Sequence, residues 1–127
     1  MVRKIEAILT RIDPDFMQHL DREQVTVLQL TFRWLNCLLT REFKLRCLLR
    51  CYDTLLSEER GFSSFLVYLC AALLKRMSSD LKRMDFQELM TTVSSASLTM
   101  KLDANAVEAI LSEAFVLKSL FHSSIVI

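Results

Sequence analysis

Residues 65–74 read Phe-Leu-Val-Tyr-Leu-Cys-Ala-Ala-Leu-Leu, the longest apolar run in the chain. Ten residues of helix cover about 15 Å, whereas a bilayer core takes about 20 residues to cross. The run therefore reads as a buried helix of a packed protein, not as a membrane span. The rest of the composition agrees. There is a single glycine, Gly61, and a single proline, Pro14, among 127 residues, where sheet proteins spend both on tight turns. Hydrophobic residues make up 52% of the chain, which supplies a core, and Leu, Met and Ala favour helices. The expectation is an all-α protein of about six or seven packed helices. One domain fills this length, placed at residues 1–122 with a short tail at 123–127.

Working outward, amphipathic spacing recurs on both sides of the run. Ile5, Ile8, Leu9 and Ile12 follow i, i+3, i+4, i+7 and mark a first helix. Asp13-Pro14 reads as an N-cap with proline at the first helical position, opening a short helix with Phe16, Met17 and Leu20. Asp21-Arg22-Glu23-Gln24 has capping-box spacing and is expected to start a long helix to about Thr40. Its stripe is Leu28, Phe32, Leu35 and Leu39, broadened by Leu30, Trp34 and Leu38. After a polar joint at Arg41 to Lys44, a helix from Leu45 to Ser57 points Leu45, Leu48, Leu49, Tyr52, Leu55 and Leu56 inward. Glu58 to Gly61 ends it. The apolar helix covers Phe62 to Met77, and Asp85 with Glu88 caps a helix to Val93. Ser94 to Lys101 reads as a loop. Asp103 caps a last helix through Val107, Ile110, Leu111, Ala114, Phe115 and Leu117.

Chemistry is hard to place on this pattern. A phosphate-binding loop and a nucleophile elbow both need glycines that the chain lacks. Sixteen basic and 15 acidic residues leave a net charge of +1, which gathers neither nucleic acid nor anionic lipid. Of the four cysteines, Cys47 and Cys51 share a helix face at i, i+4, the spacing of half a metal site. His19 and His122 lie far from them in sequence, so Cys37, Cys47, Cys51 and Cys70 read as core thiols and no metal or cofactor is expected. Trp34 reads as core, with a partner-binding anchor as the alternative. The basic clusters at Arg41–Arg50 and Lys75–Arg83 are interrupted by acids and read as solvated faces. Arg50 and Asp53 stand i, i+3 and have the spacing of a local pair.

One stretch is more specific. Thr31-Phe32-Arg33-Trp34-Leu35-Asn36-Cys37-Leu38-Leu39-Thr40-Arg41-Glu42-Phe43 resembles the FRWxNxLLxRE segment of one subfamily of TBC domains, the helical catalytic domains of Rab GTPase-activating proteins. Further blocks follow in the same order. Leu49 to Glu58 is similar to the family's RxWDTYxSE, with Tyr52 where the family has Trp. Val67 to Leu74 is similar to VYVCAAxL. Met84-Asp85-Phe86-Gln87-Glu88-Leu89 and Leu111-Ser112-Glu113-Ala114-Phe115 complete the series. The resemblance is to the C-terminal half of the domain and covers residues 4–122. It marks Phe32, Arg33, Trp34, Asn36, Arg50 and Asp53 as family-signature positions of structural kind.

The resemblance implies a regulator of Rab GTPases in vesicle traffic, cytoplasmic or peripheral at endomembranes. In the family an arginine from IxxDxxR and a glutamine from YxQ act on the bound GTP, one offsetting charge and the other positioning water. Both motifs precede the region matched. Ile12-Asp13-Pro14-Asp15-Phe16-Met17-Gln18 has Gln in place of the arginine, and neither Tyr52-Asp53-Thr54 nor Tyr68-Leu69-Cys70 supplies YxQ. The expectation is a C-terminal lobe without catalysis of its own. Its expected partners are a Rab-type GTPase and either the finger-bearing N-terminal lobe or a second copy through exposed apolar surface. A stand-alone helical interaction module is the alternative. No nucleic acid and no transmembrane segment are expected.

Overall fold

Each residue from Phe65 to Leu74 is buried, in the middle of the helix on which three others pack. The computed structural model describes residues 2–36, 44–57, 62–95 and 102–121. Among them are seven α-helices and no strand: α1 (Val2–Ile12), α2 (Pro14–Arg22), α3 (Val27–Asn36), α4 (Leu45–Ser57), α5 (Phe62–Leu81), α6 (Phe86–Ser95) and α7 (Ala104–Phe121). An amphipathic helix has one face to bury, and α5 is apolar all round through its middle turns. Three helices accordingly pack on it: α7 most extensively, then α1 and α4. Around this centre α1 also carries α2 and α3, α4 meets α7, and α3 meets α6. Among the described residues no helix is long and apolar enough to cross a membrane.

The joints are built by side chains that the sequence supplies. Asp13 ends α1, its N–H donating to Leu9 at 2.8 Å. Its carboxylate then caps α2, accepting from the Phe16 N–H at 3.4 Å, with Pro14 in the first turn. Asp103 caps α7 through the Ala106 N–H at 2.8 Å. Asp85 and Glu88 form a reciprocal capping box on α6, the Glu88 N–H donating to Asp85 at 2.9 Å and the Asp85 N–H to Glu88 at 3.4 Å.

The boundaries differ from expectation in two ways. Asp21 to Gln24 does not open a helix; it closes α2. The Gln24 N–H donates to the Asp21 carbonyl and the Val25 N–H to Leu20, the paired bonds of a Schellman turn. Gln24 takes the left-handed position with φ of 58°, and the buried side chains of Leu20 and Val25 supply the accompanying apolar positions. The box that starts α3 lies just beyond: the Thr26 N–H donates to Gln29 at 2.8 Å, and the Gln29 N–H to the Thr26 hydroxyl at 3.1 Å. Spacing alone does not distinguish the two, because Asp-x-x-Gln and Thr-x-x-Gln both satisfy the capping rule. The second difference is length: α5 runs on to Leu81 and α6 to Ser95. The expected end of the third helix at Thr40, the joint with Phe43, the turn at Gly61 and the tail lie outside the described residues, as do Cys37 and His122.

Candidate interaction surface

Helix α4 divides into two apolar faces. Cys47, Cys51, Thr54 and Leu55 are buried. Leu45, Leu49 and Leu56 are 70%, 55% and 73% exposed, with the half-buried Tyr52 between them. The expected inward set for α4 is thus corrected: Leu55 and in part Leu48 face the core, while Leu45, Leu49 and Leu56 face out. The covered side is the one that packs on α5 and α7, and it carries two thiols and a threonine beside Leu55. A similar correction holds for α3. Val27, Leu30, Thr31 and Trp34 are buried, whereas Leu28 and Phe32, expected in its main stripe, are about half exposed. Thr31 satisfies its buried hydroxyl by donating to the Val27 carbonyl at 2.8 Å.

The sequence-marked positions therefore separate. Trp34 is 1% exposed and belongs to the core, while Phe32, two residues earlier, is 58% exposed. The side chains of Arg33 and Asn36 lie outside the described residues. Arg50 and Asp53 both line a cleft of about 310 Å³ between α4 and α7, with Thr54, Ser57 and Phe115. They do not form the local pair that their spacing allows. Instead Arg50 reaches across to Glu108 on α7 with two parallel contacts, Nε to Oε2 at 2.6 Å and Nη2 to Oε1 at 3.1 Å. Its remaining Nη donates to the Thr54 hydroxyl. Such a fork fixes direction as well as distance, so it aligns α4 on α7 beneath the leucine stripe. The Phe115 ring adds a tilted contact with Phe65 at 4.8 Å.

A second polar clasp holds α1 and α2 to α5. Burial raises the pKa of the Asp13 carboxyl, but hydrogen bonds from Lys82 and Ser78 and the charge of Lys75 outweigh it and hold it below its usual range. Lys82 donates to Asp13 at 3.0 Å and Lys75 lies at 3.5 Å. The lysines expected on a solvated face thus neutralise a buried cap. His19, at the end of α2, bonds the Met84 carbonyl at 2.6 Å, and Glu23 accepts the Phe86 N–H at 3.1 Å. Glu108, Glu23 and the two lysines are structural partners that spacing did not expose, because each acts across distant helices.

Cys51 and Cys70 are held as protonated thiols. Cys47, Cys51 and Cys70 are buried and free. Burial first, with the neighbouring Cys47 sulfur adding to it, pushes Cys51 up to about 12, and burial does the same to Cys70. A protonated thiol is neither nucleophile nor metal ligand. Among the described residues no group of three or more His, Cys, Asp or Glu is placed to hold a metal ion. What the surface offers is contact: a leucine stripe on α4, the cleft lined by Arg50, Asp53 and Phe115 beside it, and Phe32 with Leu28 on α3.

Comparison with known proteins gives this architecture its place. The family model for the Rab-GTPase-TBC domain matches residues 1–82. The GTPase-activating protein gyp1 of Schizosaccharomyces pombe is 40% identical over 124 residues, 97% of this chain and 24% of its own length. Human TBC1 domain family member 22A is 42% identical over 121 residues, 94% of this chain and 23% of its own. The crystal structure of the Ypt/Rab-GAP domain of Gyp1p superposes with a TM-score of 0.83 at 39% identity, covering 94% of this chain and 38% of that one. The chain thus spans about a quarter of the length of the curated relatives it matches. With the matched family model, the shared helical fold and the ordered motifs in agreement, the chain belongs to the Rab-GTPase-TBC domain family.

Proposed function

We propose that this chain acts as the C-terminal lobe of a Rab GTPase-activating domain and has no GTPase-activating activity by itself. The unit is residues 1–122, followed by the tail 123–127, and it works in the cytoplasm at endomembrane surfaces. Its partner is a Rab-type small GTPase. The observation that carries this reading is the match of nearly the whole chain to little more than a third of the Gyp1p domain, without an IxxDxxR or YxQ motif in its own residues.

The physical reason is the division of labour in such activators. Rate comes from an inserted arginine and a water-positioning glutamine, and an arginine finger alone is worth about 10³–10⁵ in kcat. Gln18 stands on α2 where the arginine of a chance IxxDxxR match would be, and an amide carries no charge to offset that of the phosphates. Tyr68 is fully buried and is followed two residues later by Cys70, not by a glutamine. What this chain contributes is a helical body whose α3 surface, with the exposed Phe32 and Leu28, helps shape the GTPase-binding domain.

A chimera tests the reading. The segment of Schizosaccharomyces pombe gyp1 aligned to this chain is replaced by this chain, and hydrolysis by GTP-loaded Rabs is followed in single turnover. Activity within about tenfold of the parent is expected, since a graft that keeps the fingers intact leaves the main rate terms untouched. A folded chimera without activity would refute the assignment.

A further inference from the structure

We propose that two copies of this chain pair through α4, antiparallel about a twofold axis, with the stripe Leu45, Leu49, Tyr52 and Leu56 as the seam. The spacings along the stripe are four, three and four residues, the repeat of a coiled-coil a/d seam. At roughly 100° per residue these side chains share one face, turned about 140° from the buried side marked by Cys51. The three leucines are among the most exposed large apolar residues described, so a second helix laid on them removes leucine surface from water without disturbing the core.

Charge selects the occupant. Arg46 and Asp53 stand on the same flank of the stripe, one heptad apart, and both are exposed. Among the described residues neither has a salt-bridge partner. In an antiparallel pair the same flank of each helix meets itself. Setting Leu45 opposite Leu56 of the second copy, and Leu49 opposite its Tyr52, brings Arg46 within about 3 Å, along the axis, of level with Asp53 of the second copy. The twofold repeats the contact with the roles reversed. A parallel pair would not do this, so the stripe and its flank are complementary to themselves in one orientation. Arg50 stands on the same flank, about 40–60° farther round from the stripe than Arg46 and Asp53, where its fork with Glu108 turns toward α7 and is left intact. This inference is independent of the catalytic assignment above and stands if that assignment fails.

The test is sedimentation equilibrium on the full chain, with helical content followed by circular dichroism. A concentration-dependent dimer is expected. Leu49→Glu and, separately, Leu56→Glu should weaken it by at least about tenfold, because each buries two charges across the twofold, while helicity is unchanged. Arg46→Asp alone and Asp53→Arg alone should each weaken it about fivefold or more. The double variant should recover the dimer, which no purely structural role or general stickiness would produce. A monomeric wild-type chain would overturn the proposal and leave the stripe for the remainder of the domain or another protein. So would a dimer indifferent to the leucine variants, polydisperse association that Leu49→Glu does not clear, or charge variants that fail to weaken singly and recover together.

Discussion

The Lys82 ammonium donates to the buried Asp13 carboxylate at 3.0 Å, tying the end of α5 to the joint between α1 and α2. That carboxylate also caps α2, so one side chain sets both a helix start and a three-helix junction. Asp13→Asn keeps a capping oxygen but removes the charge that Lys82 and Lys75 meet. A loss of about 1–3 kcal/mol is expected, read by urea denaturation at neutral pH.

The same residue predicts an acid dependence. Its carboxyl is held below the usual range in the folded chain. A depressed carboxylate contributes stability that is fully present above its unfolded value, about 3.9, and is lost as pH falls through the folded value. Unfolding free energy should therefore fall below about pH 4. In Asp13→Asn the fall should be shallower, and an identical slope in both proteins would show that Asp13 is not a source of it.

Gln24 should be the easiest position at which to gain stability. It holds a left-handed φ of 58° at the Schellman turn, where glycine carries no Cβ penalty. Gln24→Gly is expected to raise stability by about 0.5–1 kcal/mol. The shift in the thermal midpoint measures it, and a fall instead would mean that the side chain has a contact of its own.

Neighbouring positions on α3 should behave oppositely. Trp34→Ala empties a buried site and should cost about 3–5 kcal/mol. Phe32→Ser changes an exposed side chain and should stay within about 0.5 kcal/mol, so any loss of partner binding in that variant reports on the surface itself. Equal destabilisation by both would place Phe32 in the core.

Across α4 and α7, a double-mutant cycle on Arg50→Met and Glu108→Gln should show a coupling of about 0.2–1 kcal/mol, because both side chains are about half exposed and water screens the pair. The coupling should shrink in high salt. A coupling near zero at low salt would mean that the fork does not fix α4.

Much of this fold was legible in the sequence because its signals are local. Asp13-Pro14, the Asp85/Glu88 box and the Asp103 cap each act within one turn, and the apolar run at 65–74 needs only its own length to be read. The family resemblance extended that reading to the domain. What failed was the assignment of faces. Helix α4 has leucines on one side and thiols on the other, and only the neighbours α5 and α7 decide which side is covered. The start of α3 failed because two capping patterns overlap in neighbouring residues, and only φ at Gln24 separates an ending from a beginning. Glu108 was invisible for a related reason. Its partner Arg50 already had an acid at i+3, and nothing along the chain says that α7 lies closer than the next turn.

We propose that this chain is part of a TBC domain and has no GTPase-activating activity of its own. Single-turnover GTP hydrolysis by a panel of GTP-loaded Rabs, with the purified chain in molar excess, tests it most directly. Every Rab is expected to hydrolyse at its intrinsic rate, with and without the chain. Acceleration of any Rab by this chain alone would contradict the account.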